Sequence, residues 1–96
     1  MNLSASEIKK MLKSWHFYKA SSLNLEDDAE LKRKLDAIES VINALDTTDG
    51  TLIRMRFFER AEVDIIAKCL YVTDRAVYKR INRIIGEIVF CLRNAV

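Results

Sequence analysis

The sequence predicts an all-α fold, a small bundle of about five helices, on three observations. Pro is absent and Gly occurs only at Gly50 and Gly86 in 96 residues, whereas sheet-rich folds need more turn-forming residues than that. Apolar side chains recur at helical spacings of three and four, as in Val77, Ile81, Ile84 and Ile88, which is the period of a one-sided helix. Capping signals stand just ahead of such stripes. The length fits one domain, residues 1–96, with a modest core that needs neither disulfide nor metal. Within it, residues 1–45 form an N-terminal helical part and residues 46–96 a C-terminal one.

The first helix is announced by Ser4 and Glu7, a capping-box pair in which the hydroxyl accepts a backbone N–H and the Glu reaches back. Ile8, Met11, Leu12 and Trp15 then share one face and Lys9, Lys10 and Lys13 the other. The first break is expected at Ala20, Ser21 and Ser22, and Trp15 and Tyr18 are expected to pack in the core. A second helix spans residues 25–45. Its acids (Glu26, Asp27, Asp28, Glu30) precede its bases (Lys32, Arg33, Lys34), partly as the helix dipole prefers. Leu31, Leu35, Ile38, Ile42 and Leu45 make a seam spaced four, three, four and three. Asp46, Thr47, Thr48 and Asp49 offer N-caps for a third helix, with Gly50 among its first residues and an end near Glu59 and Arg60.

Residues 63–81, VDIIAKCLYVTDRAVYKRI, carry two short helices around a break at Tyr71, Val72 and Thr73, the layout of a helix-turn-helix. Ala67 is small where the helices must cross. Val72 is apolar and can plug the corner. Thr73 can cap the following helix, leaving backbone N–H groups at its N-terminus for a phosphate. Asp74 suits the dipole of the first turn, Val77 and Ile81 anchor the inner face, and Arg75, Tyr78, Lys79 and Asn82 project outward. Tyr71 stands where many such motifs carry Gly, because a left-handed backbone there costs other residues about 1–2 kcal/mol. The last helix should reach about Leu92, with Val89 and Phe90 off its apolar stripe and in need of cover.

The formal charge is +2, but it is unevenly spread. Up to Asp46 the chain holds seven bases against eight acids; beyond it, nine against six. Four bases face one acid over residues 74–83, a local basic surface of the kind phosphate binding needs. Cys69 and Cys91 lie in apolar surroundings at no ligand-like spacing, far from His16, and are expected as buried free thiols of a reducing compartment. No metal or cofactor is expected. The longest apolar run near the C-terminus, residues 88–92, is far too short to span a bilayer, and no signal peptide opens the sequence. A cytoplasmic protein with no membrane partner is expected.

Residues 52–59 (LIRMRFFE) followed by residues 66–83 (IAKCLYVTDRAVYKRINR) resemble the −35-reading C-terminal domain of bacterial sigma factors. Val72, Thr73, Val77, Arg80, Ile81 and Arg83 fall on the motif's closing pattern, and the likeness covers about residues 45–88. It implies a sigma-like helix-turn-helix whose last helix enters the major groove of double-stranded DNA. Arg80 and Arg83 would touch phosphates there, with Arg75, Tyr78 and Lys79 near base edges. The chain is also similar to the short phage transcriptional regulators of the ArpU and RinA type. Residues 1–44 are too few for the polymerase-binding and DNA-melting domains of a complete sigma factor.

A sequence-specific, phage-type transcription regulator is therefore the leading expectation, with Thr73, Arg75, Tyr78, Lys79, Arg80, Asn82 and Arg83 as the DNA-binding set. The alternatives are a module that binds RNA polymerase or a sigma factor with little DNA contact, and a phage packaging subunit that recognises genome ends. An enzyme is not expected, since no nucleophile–base set, phosphate loop or acid pair is visible. Helix-turn-helix regulators usually pair. A homodimer could form through the Leu31–Leu45 seam or the surface around Val89 and Phe90. The competing outcome folds Ile8, Leu12 and Trp15 onto that seam and leaves a monomer.

Overall fold

In chain order, the computed structural model places α1 at Ala5–Lys13, α2 at Trp15–Asn24, α3 at Ala29–Ala44 and α4 at Thr47–Ile53. A π-helical segment, Arg54–Phe58, extends α4, and α5 (Val63–Leu70) and α6 (Asp74–Asn94) complete the chain. The structure describes residues 1–24 and 29–94, and among them there is helix and no strand. The expected start of the second helix, at Leu25, Glu26, Asp27 and Asp28, lies outside the described residues.

Three of the helix starts follow from their caps. The Ser4 hydroxyl accepts the Glu7 N–H at 3.1 Å and itself donates to the Glu7 carboxylate at 3.4 Å. Asp46 Oδ1 accepts the Asp49 N–H at 2.8 Å, and Thr73 Oγ1 accepts the Ala76 N–H at 3.1 Å. Each satisfies a donor that the first turn of a helix leaves unpaired.

The expected single N-terminal helix is in fact two, so the described residues form six α-helices rather than about five. Ser14 leaves helical geometry at φ −115° and ψ 31°. The break lets α1 pack on α6 and the π-helical segment while α2 packs on α3. One straight rod could not serve both directions. Trp15 sits buried at the corner, its ring stacked on Phe58 with centroids 5.1 Å apart, and Lys19 lies over the same indole while pairing with Glu39 of α3 at 3.3 Å. Trp15 is thus a packing residue.

The apolar seam of α3 is consumed inside this chain. Leu35, Ile38 and Ile42 are buried, Leu31 and Leu45 pack against the same core, and α3 lies against α2, α4 and α6. The seam is therefore not a free pairing surface, and Leu35→Glu would bury a charge in the core rather than probe an interface. A single core cluster runs from Leu3 to Leu92. Its axis is α6, whose Val77, Ile81, Ile84, Ile85, Ile88 and Leu92 are all buried, with α1, α3, α4 and α5 packed around it. Val89 is half-buried against the core, whereas Phe90 remains 68% exposed.

Neither glycine makes a turn. Gly50 lies inside α4, where a Cβ would stand 2.8 Å from Nη1 of Arg54; its absence lets that guanidinium cross to Asn43 Oδ1 at 3.0 Å. The left-handed positions are instead held by Arg60 and Tyr71, both at φ 57°. At Tyr71 the chain closes α5 with the paired bonds of a Schellman end: Val72 N–H to the Ala67 carbonyl at 3.0 Å and Tyr71 N–H to the Lys68 carbonyl at 3.4 Å. Val72 then packs against the core, the plug that its place in the turn suggests.

Tyr71 accepts the left-handed cost without burying anything, since its side chain is 95% exposed. Tyr71→Gly should therefore raise stability by about 1 kcal/mol, read as an increase in melting temperature. A decrease would show that the ring makes a stabilising contact in solution.

Candidate nucleic-acid interface

The turn of residues 71–73 fixes where α6 begins, and the buried stripe fixes how it is rotated. With Val77 and Ile84 fully buried and Ile81 only 4% exposed, the opposite side of the helix must face water. Arg75, Tyr78, Lys79 and Asn82 are exposed there. Together with Thr73 and Ala76 they line one shallow, open depression along the N-terminal half of the helix. The described ion pairs leave Arg75 and Lys79 without a carboxylate partner. Cations without an internal counter-charge can neutralise the phosphates of a polyanion and release the counterions condensed on it.

Arg80 and Arg83 stand apart from that depression. Arg80 is half-buried on the flank of the helix and, among the described ion pairs, also lacks a carboxylate. Arg83 is held by two acids. Its Nη2 donates to Asp49 Oδ1 at 3.0 Å and its Nη1 to Glu87 Oε1 at 2.7 Å. Those bonds, Asp49 first, push its pKa above the ordinary guanidinium value. Among the described residues Asp49 is the one charged residue in the buried core; its own N–H is taken by the Asp46 cap while its carboxylate takes Arg83. Arg83 therefore fastens α4 to α6 and meets any phosphate already neutralised.

Two neighbours of the outward face were not foreseen. Asn82 and Ile85 border a depression whose other wall is Ala5, Ser6 and Lys9 of α1. Tyr78 borders another, where Arg56 of the π-helical segment meets Glu62, Val63, Asp64 and Asp74. The alternation of Lys9 and Lys13 with buried α1 residues was visible in the sequence, but the helix against which they would lie was not.

The two cysteines depart from expectation. Cys69 and Cys91 are free, as anticipated, but both are exposed. Cys69 lies on the side of α5 away from Val63, Ile66 and Ala67, and Cys91 is turned off the stripe that passes through Ile88 and Leu92. Apolar neighbours in sequence do not guarantee burial when a short helix buries only one face. His16 Nε2 is 3.0 Å from the Phe58 carbonyl. Among the described residues no three His, Cys, Asp or Glu side chains gather as a metal site, and no helix is long and apolar enough to cross a membrane.

In comparisons with known proteins, the chain matched no family model, no curated protein and no solved structure.

Thr73→Ala should destabilise the fold by about 0.5–2 kcal/mol through removal of the cap, while Thr73→Ser, which keeps the hydroxyl, should leave the melting temperature nearly unchanged. An unaltered melting temperature in the Ala variant would mean that the helix starts elsewhere.

The two arginines should also separate in stability. Arg83→Ala strands a buried carboxylate and should cost about 1–2 kcal/mol, a figure reduced because the guanidinium is half in water. Arg80→Ala, with no internal bond to lose, should melt close to the parent. Equal melting temperatures for the two variants would contradict the clasp.

Proposed function

We propose that the chain is a sequence-specific DNA-binding protein that acts in transcription, with α5, the turn and α6 working as a sigma-like helix-turn-helix. The observation that carries it is the outward face of α6. Arg75, Tyr78, Lys79 and Asn82 are exposed together over one open depression, and neither cation has an internal carboxylate among the described residues. Long polar side chains on a rigid helix are what reading base edges in a major groove requires. Two cations and an amide surround the one aromatic ring of this stretch, a composition suited to phosphates and base edges. Thr73 and the free N–H groups of the first turn add a place for one phosphate at the entry of the helix. Arg80 serves as a backbone contact on the flank. Arg83 acts through the fold, by holding α4 against the groove helix.

The resemblance of residues 52–59 and 66–83 to the −35-reading domain points the same way and suggests a regulator of the short phage type. RNA polymerase is the natural second partner for such a domain. The exposed ring of Phe90, on the same side of α6 beyond Gly86, is available to it or to a second copy of the chain.

Selection of bound sequences from random duplex DNA tests the proposal. The full chain should enrich a defined motif, either alone or only with polymerase present; a palindrome would indicate two copies per site. On the selected duplex, Arg75→Ala should lose about 1–3 kcal/mol of binding and relax the preference at one base pair. No enrichment in either arm would remove DNA as the target.

A further inference from the structure

Cations also stand beyond the groove helix. Arg56, which borders the depression at Tyr78, borders a second one with Lys13, Phe57 and Arg60. The depression at Asn82 leads to Lys9, which stands one helical turn before Lys13, about 6 Å along α1. α1 thus places Lys9 beside α6 and Lys13 beside the π-helical segment. Both are fixed in place, because α1 packs against α6 and against that segment.

Four cations from two stretches of chain, Lys9 and Lys13 of α1 and Arg56 and Arg60 in and just after the π-helical segment, therefore stand beside the groove helix. Among the described ion pairs none of them has a carboxylate partner. Arg56 uses Nη1 on the Ala61 carbonyl at 3.2 Å, a bond that aims its guanidinium without cancelling its charge. Lys13, Arg56 and Arg60 converge on a single depression. Like charges gathered in this way repel each other and attract a multiply charged anion. The acids nearby, Glu62, Asp64 and Asp74, line the depression on the Tyr78 side of Arg56 and not the one that Lys13, Arg56 and Arg60 share.

We infer that α1 and the π-helical segment form a second limb of the interface, in which Lys9, Lys13, Arg56 and Arg60 bind phosphodiester oxyanions of the strand flanking the groove that α6 occupies. The inference rests on α6 being the groove helix. It gives the N-terminal helix a direct part in binding, one that a helix-turn-helix alone does not contain. These contacts are independent of base sequence and set the register of α6 on the duplex.

The test is equilibrium binding of the full chain to a short mixed-sequence DNA duplex and to a selected one, over a salt series. Lys13→Gln combined with Arg60→Asn removes two charges, and Asn tolerates the left-handed backbone at residue 60. The slope of log K against log salt should fall by about 0.9 for each phosphate no longer neutralised, nearly two units for the pair. The weakening should be the same on both duplexes, with melting temperature and base preference unchanged; Lys9→Gln should add a further step. A parental slope in the double variant, while Arg75→Ala still weakens the selected duplex, would overturn the limb and leave the groove helix standing. Parental DNA binding with loss of binding to poly-glutamate would make the cluster a protein-docking site and overturn the inference. A parent chain that binds neither duplex would overturn both.

Discussion

The inner face of α6 is the constraint on which the rest of the molecule depends. Val77, Ile81, Ile84, Ile85, Ile88 and Leu92 are buried along one helix of 21 residues, and four other α-helices rest against it. Each such side chain contributes about 1.5–3 kcal/mol when withdrawn from water, so rotation of the helix about its axis is strongly resisted. The outward face inherits that rigidity. Arg75, Lys79 and Asn82 need no separate scaffold, because the core that holds the protein together also aims them. Rigid placement of this kind lowers the ordering cost that a flexible basic segment would meet on binding.

The second constraint is the pair of left-handed residues that bound α5. Arg60 follows the π-helical segment and Tyr71 ends α5, and both bear side chains that make this backbone unfavourable. The compensation is local and visible. Wide backbone bonds close the π-helical segment at Arg60, from Glu59 N–H to the Arg54 carbonyl at 2.9 Å and from Ala61 N–H to the Met55 carbonyl at 2.9 Å. The Schellman bonds and the packed Val72 close α5 at Tyr71. An eight-residue helix is too short to hold itself together in water. Here its first turn is held by the Ile65 and Ile66 N–H bonds to the Glu62 carbonyl, its C-terminal end by the Schellman bonds and its inner face by Val63, Ile66 and Ala67.

Most of what could be read in the sequence was local or periodic. The caps at Ser4, Asp46 and Thr73 depend on a hydroxyl or carboxylate three residues before an N–H, and the stripe of α6 depends only on spacing. The break at Ser14 was hidden because no Gly or Pro stands in residues 11–17 and the weak helix propensity of Ser, Trp, His and Phe alone does not end a helix; the break lets α1 and α2 pack in two directions. The α3 seam has the spacing of a pairing surface, yet α2, α4 and α6 cover it, and spacing cannot say whether the partner is another chain or the same one. The environment of Arg83 was equally out of reach, since Asp49 lies 34 positions away in sequence. The outward positions of Arg75, Tyr78, Lys79 and Asn82 followed from the wheel, whereas the approach of Lys9 to Asn82 required the fold.

The bases of α6 are consequently not equivalent, although a count of charge treats them so. Arg75 and Lys79 lie in water without an internal counter-charge among the described residues, Arg80 is partly withdrawn, and Arg83 is neutralised by Asp49 and Glu87. Positive potential is thereby concentrated toward the start of the helix, where the N–H groups of the first turn and the helix dipole add to it. The end nearer Glu87 contributes less to the field and more to holding α4 in place. Because α1 and the π-helical segment supply further cations beside Asn82 and Tyr78, the full basic surface exists only when the N-terminal helix has docked. α1 and α3 share one core with α6, and removing α1 would take away both a wall of that core and a share of the charge.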